Sequence, residues 1–100
     1  MTQLLYRSAV SRYYYACFHR ASRQSVRDRL AIGNEHQHTN LWRAFQSCGD
    51  SRKEQIGILG SRLQRRRVLA DYNVLPRVTR EDAEAAKKLA SDIYAVMNKL

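Results

Sequence analysis

One hundred residues make a single domain with room for one modest core, and four glycines and one proline among many helix formers favour helices over sheets. Eighteen Lys and Arg, fourteen of them arginine, against nine Asp and Glu leave a net charge of +9, which biases the chain toward polyanions. No apolar run approaches the ~20 residues of a membrane span. The first residues carry no signal-peptide core, and Cys17 and Cys48 give no disulfide framework, so a reducing, cytoplasmic setting without membrane contact is the default.

Residues 4 to about 29 read as one long helix. Tyr6, Val10, Tyr13, Tyr14, Cys17, Phe18 and Ala21 fall on one side at 3.6-residue spacing. Ser8, Arg12, Tyr15, His19 and Arg23, separated by four, three, four and four residues, stack as a narrow stripe on the other side. That stripe is not ordinary lysine–glutamate cover; it faces a second helix layer, a partner or a ligand. Tyr13 and Tyr14 are core candidates, whereas Tyr15 is the tyrosine of this run with a functional reading, as a stacking surface for bases.

Gly33 to His38 is a polar loop, in which His36 and His38 resemble a metal pair only superficially, since no cysteine or carboxylate cluster completes a site. Thr39 or Asn40 is the expected cap of a short helix through about Ser47, burying Leu41, Trp42 and Phe45. Gly49-Asp50-Ser51 breaks it, and Asp50 or Ser51 caps a third helix to about Tyr72, with Ile56, Leu59, Leu63 and Ala70 as its apolar edge. Asn73 to Pro76 ends that helix. Thr79 caps the last one, with Glu81, Asp82 and Glu84 at the positive end of its dipole and Ala86, Leu89, Ile93, Val96 and Leu100 as the buried stripe. The fold expected is an all-α, antiparallel up-and-down bundle of about four helices forming one domain over residues 1–100.

Three segments stand out for their order and spacing: Ser11 to His19 (SRYYYACFH), Arg67 to Tyr72 (RVLADY), and Val78 to Ala86 (VTREDAEAA). They resemble the SRxYYAxFH, RxxADY and VTxEDAExA segments of the HEPN family, and the resemblance runs from about Tyr6 to Leu100. The family usually has another helix before the tyrosine-rich one, so the chain is either a short form or an incomplete domain. The resemblance implies a helical bundle, a homodimer, and roles in toxin–antitoxin modules, antiviral defence or RNA processing. A nucleotidyltransferase-like antitoxin is the kind of partner it implies. Active relatives are metal-independent endoribonucleases, needing no cofactor, that carry an Arg-x4-6-His motif late in the third helix.

That histidine is missing. Counting from Arg65, Arg66 or Arg67, positions 70 to 74 hold Ala70, Asp71, Tyr72, Asn73 and Val74. A carboxylate is too weak a base, and a tyrosine hydroxyl too weak an acid, for efficient proton transfer at neutral pH. Arg67, Asp71 and Tyr72 are nevertheless the residues to which the family's catalytic positions carry over. Read from the residues alone, Arg67 and Asp71 form an intrahelical pair worth about 0.3–0.5 kcal/mol. Arg before Asp is the weaker order, and an anion in the last turn opposes the dipole, so Arg12 or backbone donors of the following turn are expected to compensate Asp71. Arg62, Arg65, Arg66, Arg12, Tyr15 and His19 are the nucleic-acid-binding candidates, with the arginine run expected to spread charge around its helix. His19 is a candidate replacement for the missing titratable group. Two readings result: a dimeric binding or regulatory module for RNA or another polyanion, and a ribonuclease that cleaves by 2′-oxygen attack.

Overall fold

Apolar spacing near 3.6 residues becomes four helices across residues 3–72 and 77–100, which the computed structural model describes: α1 (Gln3–Arg27), α2 (Gln37–Ser47), α3 (Ser51–Asp71) and α4 (Arg80–Met97). The fold is an all-α bundle. No helix among the described residues is long and apolar enough to cross a membrane.

Local chemistry sets the ends. Asp50 caps α3 by accepting from the Arg52 and Lys53 amides at 2.9 and 3.1 Å. Thr79 caps α4 in a reciprocal box with Asp82, each side chain accepting from the other's backbone N–H. α1 stops with Arg29 in the left-handed region (φ 56°), where the Leu30 amide reaches back to the Ser25 carbonyl and the Arg29 amide to that of Val26. The expected cap of α2 at Thr39 or Asn40 is replaced by an earlier start. His36, also left-handed, precedes Gln37 and makes no side-chain cap. Asn40 instead turns back to the Glu35 carbonyl (2.7 Å), and Thr39 accepts from Gln64 on α3 (3.3 Å). The expected break at Asn73 to Pro76 lies outside the described residues.

α3 is the central element and runs antiparallel to each neighbour. Lys53 near its start meets Asp28 beyond the end of α1 at 2.9 Å, while Arg7 near the start of α1 donates to the Ala70 carbonyl at its end. Arg52 donates to the Lys99 carbonyl at 2.7 Å, and Arg66 lies 3.8 Å from Asp82, which orients α4. Gln46 donates to the Gly57 carbonyl and to Ser61, both at 3.1 Å, which orients α2.

The core gathers Val10, Tyr14, Cys17 and Ala21 of α1, Leu41, Trp42 and Phe45 of α2, Ile56 and Leu63 of α3, and Ile93 of α4. Close approach of α2 to α3 depends on two glycines. A methyl group at Gly60 would collide with the Trp42 ring, and one at Gly57 would sit 2.5 Å from the Trp42 carbonyl oxygen. Three expected stripe positions of α3 and α4 lie outside it. Leu100 is exposed, because α4 has ended at Met97, and Met97 takes its place; Leu59 and Leu89 are only half-buried. The Cys17 thiol is pushed up to about 12 by burial, so it stays protonated and inert.

Candidate functional site

The side of α1 that faces α3 carries Arg7, Ser11 and Tyr14, spaced four and three residues apart, and one turn further on Phe18 meets His38 and Trp42 of α2. Arg67 of α3 inserts against this row. It is the charged residue of α3 that is buried, at 9% exposure, because its phase continues the inner line of Gly60 and Leu63 rather than that of its neighbours. Its guanidinium carbon lies 5.2 Å from the Tyr14 ring centre and 5.6 Å from that of Tyr15. One terminal nitrogen meets Asp71 at 3.3 Å, and the buried Nε has no hydrogen-bond partner.

Asp71 does not lean on Arg12. Its second oxygen accepts from Ser11 Oγ at 2.5 Å, one turn of α1 before Tyr15. Arg7 supplies a cation to the α3 C-terminus, where the dipole favours one. The alternative compensation by the following turn lies outside the described residues. Arg12 is exposed and shares with Ser8, Ser11 and Asp71 the wall of an open groove of about 520 Å³. Tyr72 is 68% exposed, so it neither anchors the core nor joins Arg67.

A histidine does enter this cluster, but it is His38. Its Nδ1 lies 2.7 Å from the Tyr14 hydroxyl, and its ring stacks on Phe18 with centres 4.0 Å apart. Trp42 Nε1 donates to the same hydroxyl at 3.1 Å. An indole nitrogen is only a donor, so the hydroxyl oxygen accepts from Trp42, while its bond with His38 Nδ1 runs from the hydroxyl hydrogen or from Nδ1–H according to the imidazole tautomer. Burial pushes Tyr14 up to about 12, so that hydrogen stays in place at neutral pH. His38 is held below the ordinary histidine range by burial first, then by the charges of Arg67 and His19. Both effects favour the neutral imidazole. The sequence signal was available: 38, 41, 42 and 45 share one helical face, but a helix started at Thr39 or Asn40 leaves position 38 in a loop.

The expected stripe on α1 is exposed at Arg12, Tyr15, His19 and Arg23. Tyr15 and His19 stack nearly parallel, with ring centres 6.1 Å apart and planes at 29°, and Tyr15 meets His38 edge-on at 5.9 Å. No second helix layer of the described chain covers Tyr15, which remains 37% exposed. No family model, curated protein or solved structure matches the chain.

The arginine run of α3 divides in two rather than spreading around the helix. Arg62, Arg65 and Arg66 line one groove of about 660 Å³ between α3 and α4, on the side away from Arg67. Among the described residues no group of three or more His, Cys, Asp or Glu converges as a metal site; His36 is exposed while His38 turns inward.

Proposed function

We propose that the chain is a HEPN-like binding module that holds single-stranded RNA, or a chemically similar polyanion, on the α1–α3 face without turning it over. The observation that carries this reading is the exposed Tyr15–His19 stack on α1 flanked by Arg12 and Arg23. An aromatic pair supplies a surface for a base, and arginines one turn away on either side suit the phosphates that flank it. Arg67 acts beneath that surface as a support: its charge is committed to Asp71 and to the faces of Tyr14 and Tyr15. The three HEPN-like segments supply the setting, a toxin–antitoxin or defence system, with homodimerisation and a nucleotidyltransferase-like partner as parts of the same reading.

One observation favours the ribonuclease as a second reading. His38 lies close enough to Arg67 to feel its charge, and its imidazole is a titratable group in the same cluster that holds Asp71. In that reading Arg67 stabilises phosphate charge, and Asp71 works with it. End-labelled single-stranded RNA incubated in chelator with wild type, Tyr15→Ala and His38→Gln separates the two. The binding module predicts intact RNA, retention that falls with salt, and a loss of about 1–3 kcal/mol in Tyr15→Ala. Cleavage by wild type with cyclic-phosphate ends, abolished in His38→Gln, would replace the binder with the enzyme.

A further inference from the structure

The outward side of α3 carries a second, different surface. Ile58, Arg62, Arg65, Leu69 and Tyr72 are separated by four, three, four and three residues, the spacing of a heptad seam. At about 100° per residue they occupy a stripe some 80° wide, running about 21 Å along the helix. Ile58 and Tyr72 are 40% and 68% exposed, and the half-buried Leu69 lines the groove beside Arg62 and Arg65. A seam of this kind normally marks the side of a helix that faces another helix. Here α1, α2 and α4 occupy other sides of α3, and the groove beside the seam is floored by Ala85 and Leu89 of α4.

The middle of the seam is cationic. Arg66 lies 3.8 Å from Asp82, and Lys88 meets Asp92 at 2.8 Å, so the rim of the groove is partly neutralised. Arg62 and Arg65 have no carboxylate within 4.0 Å among the described residues. Apolar groups at both ends with two uncompensated cations between them define a complementary ligand: a helix apolar at its ends and acidic at its centre. Nucleic acid would leave Ile58, Leu69 and Tyr72 with nothing apolar to cover them. A second copy laid on the same seam would set arginines against arginines.

We propose that the α3 seam from Ile58 to Tyr72 docks an amphipathic acidic helix of a partner protein, with carboxylates opposite Arg62 and Arg65 and apolar side chains over Ile58, Leu69 and the α4 floor. This site is independent of the α1 stripe, so either assignment can fail without the other. The probe is a synthetic helical peptide of about five turns, with leucines at the outer seam positions and glutamates at the central ones. A matched peptide has lysines there. Each is titrated into the isotope-labelled chain and followed by amide chemical shifts. The glutamate peptide is expected to move amides along Ile58 to Tyr72 and in α4, and to bind roughly tenfold more tightly than the lysine peptide. The Arg62→Glu/Arg65→Glu double variant, changed only at the surface, is expected to reverse that preference. Tyr15→Ala is expected to leave it unchanged. Equal binding of both peptides overturns the proposal. So does an RNA titration that moves the Arg62 and Arg65 amides, which makes this a nucleic-acid site. Self-association abolished by Leu69→Glu overturns it as well, by making the occupant a second copy.

Discussion

Arg65 and Arg67 sit two residues apart on one helix and have opposite surroundings. Arg67 is buried over two tyrosine rings and paired with Asp71; Arg65 lines an open groove with no carboxylate within 4.0 Å of it among the described residues. The residue type is the same, so the difference comes from phase: two residues rotate the side chain by about 200°. One phase continues the line of Gly57, Gly60 and Leu63 into the bundle, while the other continues the exposed line of Ile58 and Arg62. A run of arginines on a helix is thus not one surface but a structural cation on one side and binding cations on the other.

Mutations that exchange or erase these two sides should separate them, and the largest effect is expected on the inner line. Gly60→Ala drives a methyl group into the Trp42 ring and should cost about 3 kcal/mol of unfolding free energy in a denaturant titration, because neither backbone nor indole can retreat far. Ile58→Ala, two residues away on the outer line, should change stability by no more than about 0.5 kcal/mol.

Next comes the arginine pair. Arg67→Ala uncovers the faces of Tyr14 and Tyr15 and leaves Asp71 with Ser11 alone, a loss of about 2 kcal/mol. Arg65→Ala should stay within about 0.5 kcal/mol. Equal losses in the two variants would erase the distinction between the sides.

The pH dependence is smaller and has a defined sign. His38 titrates lower in the folded chain than its unfolded reference near ~6.5, so the unfolded chain binds its proton first. Stability should therefore fall as pH drops below that reference, and His38→Gln should flatten this part of the curve. The smallest effect is expected at the half-buried Asp28–Lys53 pair, at about 0.5 kcal/mol. The hydrogen bond from Lys53 holds Asp28 below the ordinary carboxylate range. The stabilisation it gives is present above that range and lost as pH falls through the lowered folded value. The gap between wild type and Asp28→Asn, measured by thermal unfolding, should close in acid.

Much of the fold was legible because periodicity and caps act locally. Asp50 and Thr79 cap as their side chains predict, and Leu41, Trp42 and Phe45 are buried where helical spacing puts them. What sequence missed depends on tertiary partners. Glycines at 57 and 60 do not read as core, yet they admit Trp42. Arg67 and Asp71 do turn into the cleft lined by the tyrosine-bearing first helix, as their place beside the apolar edge of α3 implies, but the two ring faces that Arg67 meets are set by tertiary packing. The partner of Asp71 was misassigned by one residue, Ser11 for Arg12, since rotation by about 100° moves a side chain from the inter-helix cleft to solvent. His38 was hidden by its left-handed neighbour His36, which starts α2 without a recognisable cap.

A titration of the isotope-labelled chain with a short single-stranded RNA, read by amide shifts at two salt concentrations, tests the division of labour between the faces most directly. The expected result is salt-sensitive movement at Arg12, Tyr15, His19 and Arg23, with Ile58, Arg62 and Arg65 still. Movement confined to the outer line of α3, or none on α1, would contradict it.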